Sequence, residues 1–196
     1  MISTEPCRTQ NIRVNTASMR EPEHVVLVDR LNQAIGKKEK LAAHQTGELH
    51  RAFSVQLYRD KQDSREYLLQ QRAFSKYHSG GLWTNTCCSH PRPGETLQVA
   101  ATRRLYEEMG IAERLDFRDS GIFLYKARLN NQLTEHELDH VLTVKTDAIT
   151  ICPNPDEVAS WRWWTEKELI QAINNRPYDF TVWFPAVLKR TIGQDH

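Results

Sequence analysis

The chain has 196 residues, which is enough for one domain with a self-sufficient hydrophobic core. Its 26 basic and 25 acidic residues nearly cancel, and such a balance argues against a broad nucleic-acid-binding or anionic-membrane-binding surface. No apolar run approaches the roughly 20 residues of a membrane span. We therefore expect no nucleic-acid partner and no membrane association.

The N-terminus and the cysteines bear on cellular location. Residues 1–22 are predicted to form a flexible leader before a single domain, 23–196, because loose polar termini are common. An organellar transit peptide is the alternative, but the amphipathic face that it needs is thin here. Adjacent Cys87 and Cys88 are poorly placed for a disulfide, and the 4 cysteines contain no C-x-x-C pair. We predict reduced thiols and a cytoplasmic protein.

Short apolar or alternating segments predict the strands. In chain order these are a buried strand at 25–28, a hairpin of 52–58 and 66–70, a second pair of 121–127 and 138–144, and a strand at 161–164. The polar turn at 60–64 joins the first pair, and Asn130-Asn131 joins the second.

Helical patterns interrupt these strands. Residues 95–109 carry apolar side chains at i, i+4 spacing and end before Gly110, a typical helix terminator. Further helices are predicted at 166–174 and 182–191, the last with Pro185 in its first turn. Strands that pair locally, with a helix inserted in mid-chain, predict an α/β fold with a mixed β-sheet sandwiched by helices.

Several short polar segments carry potential metal ligands around Cys88, namely His44, His50, His90, Glu135 and Glu137. Imidazole and carboxylate groups together suit Zn²⁺, Mn²⁺ or Fe²⁺. Glu135 and Glu137 are two apart at a strand start, so their side chains face the same side. A metal with so many protein ligands has little room for an activated water. The pattern therefore favours acid/base chemistry on a small substrate over hydrolysis.

The segment from Ser89 to Ile111 resembles the Nudix box, G-x5-E-x7-R-E-U-x-E-E-x-G-U, where U is a bulky apolar residue. The defined positions that agree are Glu95, Arg103, Leu105, Glu107, Glu108, Gly110 and Ile111. In that superfamily the box is a loop and helix whose glutamates hold Mg²⁺ against a diphosphate. Ser89 stands in place of the first glycine. Arg104 replaces a glutamate, which removes a metal ligand and supplies a bidentate phosphate donor.

A second resemblance covers residues 25–191. The segments KLAAH at 40–44, RAFSK at 72–76, GLWTNTCCSHP at 81–91 and EHE at 135–137 resemble the type I isopentenyl-diphosphate isomerases, as do Tyr125 and Trp183. The resemblance implies a single-domain Nudix-type α/β/α sandwich. It also implies a metal-dependent isomerase of isoprenoid biosynthesis that interconverts isopentenyl and dimethylallyl diphosphate by a 1,3-allylic proton shift.

The same resemblance assigns roles. It implies that one Mn²⁺ or Zn²⁺ is bound by His44, His50, His90, Glu135 and Glu137, and that Glu108 holds the Mg²⁺ that accompanies the diphosphate. Cys88 and Glu137 would be the acid/base pair, with Tyr125 hydrogen-bonded to the glutamate. Lys40, Arg72, Lys76 and Arg104 would bind the diphosphate, and Trp183 would shield the cationic intermediate. The partner is then a small allylic or homoallylic diphosphate, and the protein a monomer or weak homodimer.

Two other functions compete with this interpretation. A Nudix pyrophosphohydrolase acting on a nucleotide-type diphosphate would need a glutamate at Arg104. A non-enzymatic, metal-dependent diphosphate-binding regulator would not need Cys88.

The remaining motifs are given structural interpretations. His136 to His140 matches H-E-x-x-H, but the motif binds zinc only on a helix, and β-forming residues follow here. We interpret His24, His78, His136, His140 and His196 as ordinary surface or loop histidines, and Cys87 as a packing residue. Cys88, beside a metal and basic groups, is expected to have a lowered pKa and to be a thiolate.

Overall fold

The computed structural model describes residues 22–62 and 64–192. Within these ranges one mixed sheet of nine strands is flanked by four α-helices. The strands are β1 His24–Val28, β2 Ala34–Glu39, β3 His50–Lys61, β4 Ser64–Arg72, β5 Trp83–Thr84, β6 Cys87–Ser89, β7 Arg118–Arg128, β8 Thr134–Lys145 and β9 Val158–Thr165. The helices are α1 Lys40–Thr46, α2 Leu97–Met109, α3 Glu166–Asn175 and α4 Phe184–Ile192, with short 3-10 turns at Asn130–Gln132 and Pro177–Asp179.

The sheet is organised around β3. This strand pairs in parallel with β8, and antiparallel with β4, β6 and β1. Further antiparallel pairs extend the sheet. Strand β4 pairs with β5 and β9, β8 pairs with β7, and β1 pairs with β2. Both predicted strand pairs, the strands at 25–28 and 161–164, and the mixed sheet are confirmed.

Helices cover both faces of the sheet, and β4 illustrates why. Side chains alternate across a strand, so Leu68 packs in one cluster with α2 while its neighbours Tyr67 and Leu69 pack in another with α3 and α4. Fully burying a large apolar side chain contributes roughly 1.5–3 kcal/mol. The predicted α/β/α sandwich is therefore confirmed.

Capping residues set the helix boundaries. Helix α2 begins at Leu97 rather than at Glu95, because Thr96 is its N-cap and accepts a hydrogen bond from the Val99 amide. It ends before Gly110, whose φ is 66°. Helix α4 begins at Phe184, two residues later than predicted, with Pro185 in its first turn. A capping box between Thr165 and Glu168 starts α3.

The remaining predictions have mixed outcomes. The leader at 1–21 and the end at 193–196 lie outside the described residues, so the domain boundaries stay predictions. Cys87 and Cys88 are free, but Cys152 is disulfide-bonded, which corrects the prediction of reduced thiols throughout. No helix in 22–62 or 64–192 is long and apolar enough to cross a membrane.

Candidate active site and metal centre

Five buried side chains from four separate parts of the chain converge in the interior. Each contributes one nitrogen or oxygen atom, and these atoms lie within 4.8 Å of one another. The five are the predicted metal ligands His44, His50, His90, Glu135 and Glu137. His44 comes from α1, His50 from the start of β3, His90 from the residue after β6, and the glutamates from β8.

Strand pairing explains this convergence. In the parallel ladder of β3 and β8, His50 lies opposite Glu137. In the antiparallel ladder of β3 and β6, Ser89 lies opposite Phe53, so the chain delivers His90 beside His50. The period of two along β8 places Glu135 on the same face as Glu137.

Backbone hydrogen bonds orient two of the imidazoles. His44 Nδ1 lies 2.6 Å from the Lys40 carbonyl oxygen, and His50 Nδ1 lies 2.8 Å from that of Glu48. Because a carbonyl oxygen only accepts, each Nδ1 carries a proton, and in the neutral imidazole Nε2 directs a lone pair into the cluster. Such a second-sphere contact on the outer nitrogen is typical of metal-binding histidines.

The inner atoms need a cation. His44 Nε2 and Glu135 Oε2 are 3.2 Å apart but are not aligned for a hydrogen bond, and both are buried without any hydrogen-bond partner in the described part of the chain. His50 Nε2 and His90 Nε2 approach within 3.2 Å, and His90 Nε2 lies 2.7 Å from Glu137 Oε1. Unpaired buried acceptors are costly. The donor set therefore fits a divalent transition metal.

Burial and mutual charge set the protonation of the cluster. Burial and the charge of Glu137 raise the pKa of Glu135 to about 7. Burial also opposes ionisation of Glu137, but the contacts with His50 and His90 outweigh it and hold the pKa of Glu137 well below its usual range. For His44, burial lowers the pKa, and the neighbouring Glu135 more than reverses that effect.

The predicted proton-transfer groups face a cavity of about 50 Å³. Tyr125 donates a 2.6 Å hydrogen bond to Glu137 Oε2. Cys88 also lines the cavity, with its sulfur 3.8 Å from Arg72 Nη1. Trp183 donates from its indole N–H to Thr84, and its ring centroid is 6.4 Å from that of Tyr125.

The sequence-based expectation for Cys88 concerns its state beside a metal. Burial raises the pKa of its thiol to about 12, although Arg72 acts in the opposite direction. Without metal, burial therefore favours the neutral thiol, and the thiolate expected beside a bound metal stays a prediction. Cys87, in contrast, is packed in the α2 cluster of the core, as predicted.

The four predicted diphosphate-binding cations, Lys40, Arg72, Lys76 and Arg104, line the same cavity. Three of them already contact carboxylates. Lys40 Nζ lies 2.9 Å from Glu23 Oε2, Lys76 pairs with Glu157, and Arg104 Nη2 lies 3.4 Å from Glu157 Oε2. Arg72 instead contacts Cys88 and the His78 carbonyl oxygen, and its Nε has no hydrogen-bond partner among the described residues.

Glu108, the predicted magnesium ligand, is 4% exposed at the same cavity. Its two oxygens accept from different donors, Arg104 Nη2 at 2.6 Å and Gln70 Nε2 at 2.7 Å. Arg104 also reaches Glu107 at 2.7 Å. The arginine that replaces a box glutamate therefore pairs with Glu107 and Glu108, two of the three box glutamates that remain.

The structure corrects two histidine assignments. His140 is 6% exposed and lies within β8, so it is neither a surface nor a loop histidine. His78 is 9% exposed and lines the cavity beside Glu135, so it is not an ordinary surface or loop histidine. The sequence holds no periodic signal for it because it lies in the irregular loop between β4 and β5. The strand placement of 136–140 is confirmed, and His136 and His140 contact the separate partners Gly47 and Asn32.

Comparisons with known proteins agree with this geometry. The NUDIX domain family matches residues 48–184. The isopentenyl-diphosphate Delta-isomerase of Photobacterium profundum is 54% identical over 172 residues, which cover 88% of this chain and 96% of the relative. That of Aliivibrio fischeri (strain MJ11) is 47% identical over 176 residues, covering 89% and 97%.

Solved structures support the fold. DR0079 from Deinococcus radiodurans superposes with a TM-score of 0.63 at 20% identity, covering 79% of this chain and 90% of that one. The MutT protein from Methanosarcina mazei Go1 gives 0.56 at 16% identity, covering 72% and 91%. Since the sequence relatives match over nearly their whole length, the chain belongs to the isopentenyl-diphosphate Delta-isomerase family of Nudix-fold proteins.

Proposed function

We propose that the protein is a metal-dependent isomerase that interconverts isopentenyl diphosphate and dimethylallyl diphosphate by protonation and deprotonation. The observation that carries this proposal is the meeting of Cys88 and the Tyr125–Glu137 pair at one small cavity with cations along its wall. The names of the similar proteins support the same substrate class.

The reaction explains why the groups are buried. An unactivated alkene is a very weak base, and its protonation gives a tertiary carbocation that water would capture. The site must therefore supply a strong acid, exclude water and place a base at a second carbon. A cavity of about 50 Å³ holds only a few waters, which a bound substrate would displace. The face of Trp183 offers π-electron density to the cation without a nucleophilic atom.

Each proton has a donor and an acceptor. In the forward direction Glu137, hydrogen-bonded to Tyr125, delivers a proton to the terminal alkene carbon. The Cys88 thiolate then removes a proton from C2, and the electron pair of that C–H bond forms the new double bond. Glu137 ends as a carboxylate and Cys88 as a thiol, which are the states that their pKa shifts favour without metal. The reverse reaction starts from that state.

Two cations complete the proposed site. His44, His50, His90, Glu135 and Glu137 would hold a Mn²⁺ or Zn²⁺ ion, and Glu108 would hold Mg²⁺ together with the diphosphate. Such ions supply positive charge that polarises a carboxyl group and neutralises phosphate oxygens. Lys40, Arg72, Lys76 and Arg104 would bind the diphosphate and leave its bonds intact.

The remaining assignments belong to the same proposal. The protein would act in the cytoplasm as a monomer or weak homodimer, with a small diphosphate as its partner and neither nucleic acid nor membrane involved.

An isotope experiment tests the proposal. Purified protein with Mg²⁺ and Mn²⁺ or Zn²⁺ should convert isopentenyl diphosphate to its acid-labile allylic isomer. In D₂O the new methyl group should carry deuterium, because proton addition precedes proton loss. Cys88→Ala should abolish conversion, while the neighbouring Cys87→Ala, a change in the core, should retain it. Both variants lose one thiol from adjacent residues, but only Cys88 faces the cavity.

Three results would contradict the proposal. Phosphate release from nucleoside diphosphates without isomerisation would favour a hydrolase. Tight diphosphate binding without turnover of either isomer would favour a regulator. Full turnover by Cys88→Ala with its metal bound would require a different base.

A further inference from the structure

His78 lies in the wall of the cavity, between the metal cluster and Trp183. Its ring centroid is 6.1 Å from that of His44 and 6.3 Å from that of Trp183. Its Nε2 atom lies 3.3 Å from Glu135 Oε1. The proton transfers of the proposed reaction do not use this side chain, although it is only 9% exposed, close to the 7% of His90 and Glu137.

The two oxygens of Glu135 have different neighbours. Oε2 faces the cluster and lies 3.2 Å from His44 Nε2, whereas Oε1 faces His78. A carboxylate that binds a metal through one oxygen is commonly held by a donor on the other, and this second contact fixes its orientation. His78 occupies the position of such a donor.

The backbone around His78 is held in place. Its carbonyl oxygen accepts from Arg72 Nη2 at 3.4 Å, and the preceding Tyr77 carbonyl accepts from Asn131 Nδ2 at 3.1 Å. Two residues later the chain runs so close to Phe74 that a Cβ on Gly80 would lie 2.8 Å from the Phe74 carbonyl oxygen. The loop therefore presents the imidazole from a fixed position.

The neighbours of the ring also favour one tautomer. His78 Nδ1 lies 3.3 Å from Ser79 Oγ, a hydroxyl that can donate a proton to it. A neutral imidazole that accepts at Nδ1 carries its proton at Nε2. That N–H then lies 3.3 Å from Glu135 Oε1, within reach for donation once the two groups are aligned.

We infer that His78 is a positioning residue for the metal centre: its Nε2–H holds Glu135 Oε1 so that Oε2 is presented, together with His44, to a divalent transition-metal ion. This inference rests on the metal site of the proposed function. It means that the affinity for the metal depends on a residue that is not one of the five ligands.

Two substitutions separate the hydrogen bond from the packing of the ring. His78→Gln keeps an N–H donor at similar reach and loses the ring, whereas His78→Phe keeps a ring against Tyr77 and Trp183 and loses the donor. A matched control is His140→Phe, since His140 is similarly buried but lies on the opposite face of β8 and contacts Asn32. The measurement is the Kd for Zn²⁺ of the metal-free full-length chain, by competition with a chromophoric chelator.

The expected result is a 10- to 100-fold weaker Kd for His78→Phe, the usual loss when a second-sphere partner is removed. His78→Gln and His140→Phe should stay within about threefold of wild type by the same reasoning. Thermal unfolding of each metal-free variant identifies any loss of fold. Wild-type affinity in a folded His78→Phe protein would overturn the inference. Absence of tight Zn²⁺ binding by the wild type would instead overturn the proposed metal site, so the two failures are distinguishable.

Discussion

At the scale of single residues, two adjacent arginines of α2 have different surroundings. Arg103 forms two 2.8 Å hydrogen bonds with Glu95 near the helix start. Arg104 turns into the cavity, where Glu108 and Glu157 are its partners. Phosphate oxygens can take the place of these carboxylates, because two oxygens of one phosphate accept the same bidentate contact from the planar guanidinium group.

We therefore predict that Arg104→Ala raises KM by roughly 10- to 100-fold, because a hydrogen bond to a charged group contributes roughly 1.5–3 kcal/mol. Steady-state kinetics with isopentenyl diphosphate measure this. Arg103→Ala is the matched control, since it removes the same group from the same helix outside the cavity. If Arg104→Ala lowers the melting temperature but leaves KM unchanged, the arginine serves the fold rather than the substrate.

The site was only partly predictable from the sequence. The five metal ligands, Cys88 and the basic residues stand in recognisable segments, and the structure brings them together. His78, Glu23 and Glu157 could not be identified, because each lies in or beside irregular chain and gains its role from a partner far away in sequence. Local sequence patterns do not reveal contacts between residues that are distant in sequence.

At the scale of elements, the end of α2 positions the chain that carries Glu157. The Cys152 amide donates to the Met109 carbonyl oxygen, and the Asn154 amide donates to that of Glu108, both at 2.9 Å. This close approach is allowed by Gly110, where a Cβ would lie 2.1 Å from the Cys152 carbonyl oxygen. The helix terminus thus places Glu157 near Lys76 and Arg104.

Gly110→Ala should consequently destabilise the protein by about 3 kcal/mol or more, from the left-handed backbone and the steric clash together. Gly94→Ala is the control, because Gly94 also has a positive φ, 83°, but a Cβ added there would meet nothing within 4 Å. That variant should lose only about 1–2 kcal/mol. Urea unfolding compares the two, and equal losses would refute the steric argument.

The sequence did not predict the strands that lack a periodic pattern of buried residues. Strand β2 is mostly exposed, and β5 and β6 have two and three residues. These strands exist because β1, β4 and β3 provide pairing partners. Long strands with a buried face, such as β3 and β8, were predicted because burial imposes a periodic sequence.

At the scale of the whole molecule, a metal would join α1, β3, the end of β6, and β8, which are distant in sequence. An ion that binds only the folded state stabilises it by about 2.7 kcal/mol at a free concentration of 100 Kd. Burial and the charge of Glu137 raise the pKa of Glu135 to about 7, so Glu135 holds a proton below that pH without metal, and the contact with Glu135 raises the pKa of His44 as well. Binding must release these protons.

We predict that the affinity for Zn²⁺ or Mn²⁺ falls as the pH is lowered from 7 to 6. The fall over that pH unit should be about tenfold for each proton that metal binding releases. Chelator competition at several pH values gives the slope, and the melting temperature should rise with metal at pH 7.5. Mg²⁺ alone should raise it far less, because Mg²⁺ prefers oxygen ligands. A slope of zero, or an equal effect of Mg²⁺, would contradict the assigned ligand set.

The carboxylates that pair with the cavity cations give the protein its own counterions. Glu23 pairs with Lys40, and Glu157 pairs with both Lys76 and Arg104, so an incoming anion must compete with tethered groups rather than with water alone. Tethering gives such groups effective concentrations of about millimolar or above. A singly charged anion gains too little from this exchange, whereas a diphosphate can engage several cations at once. We therefore expect the cavity to select ligands by valence before it recognises their hydrocarbon part.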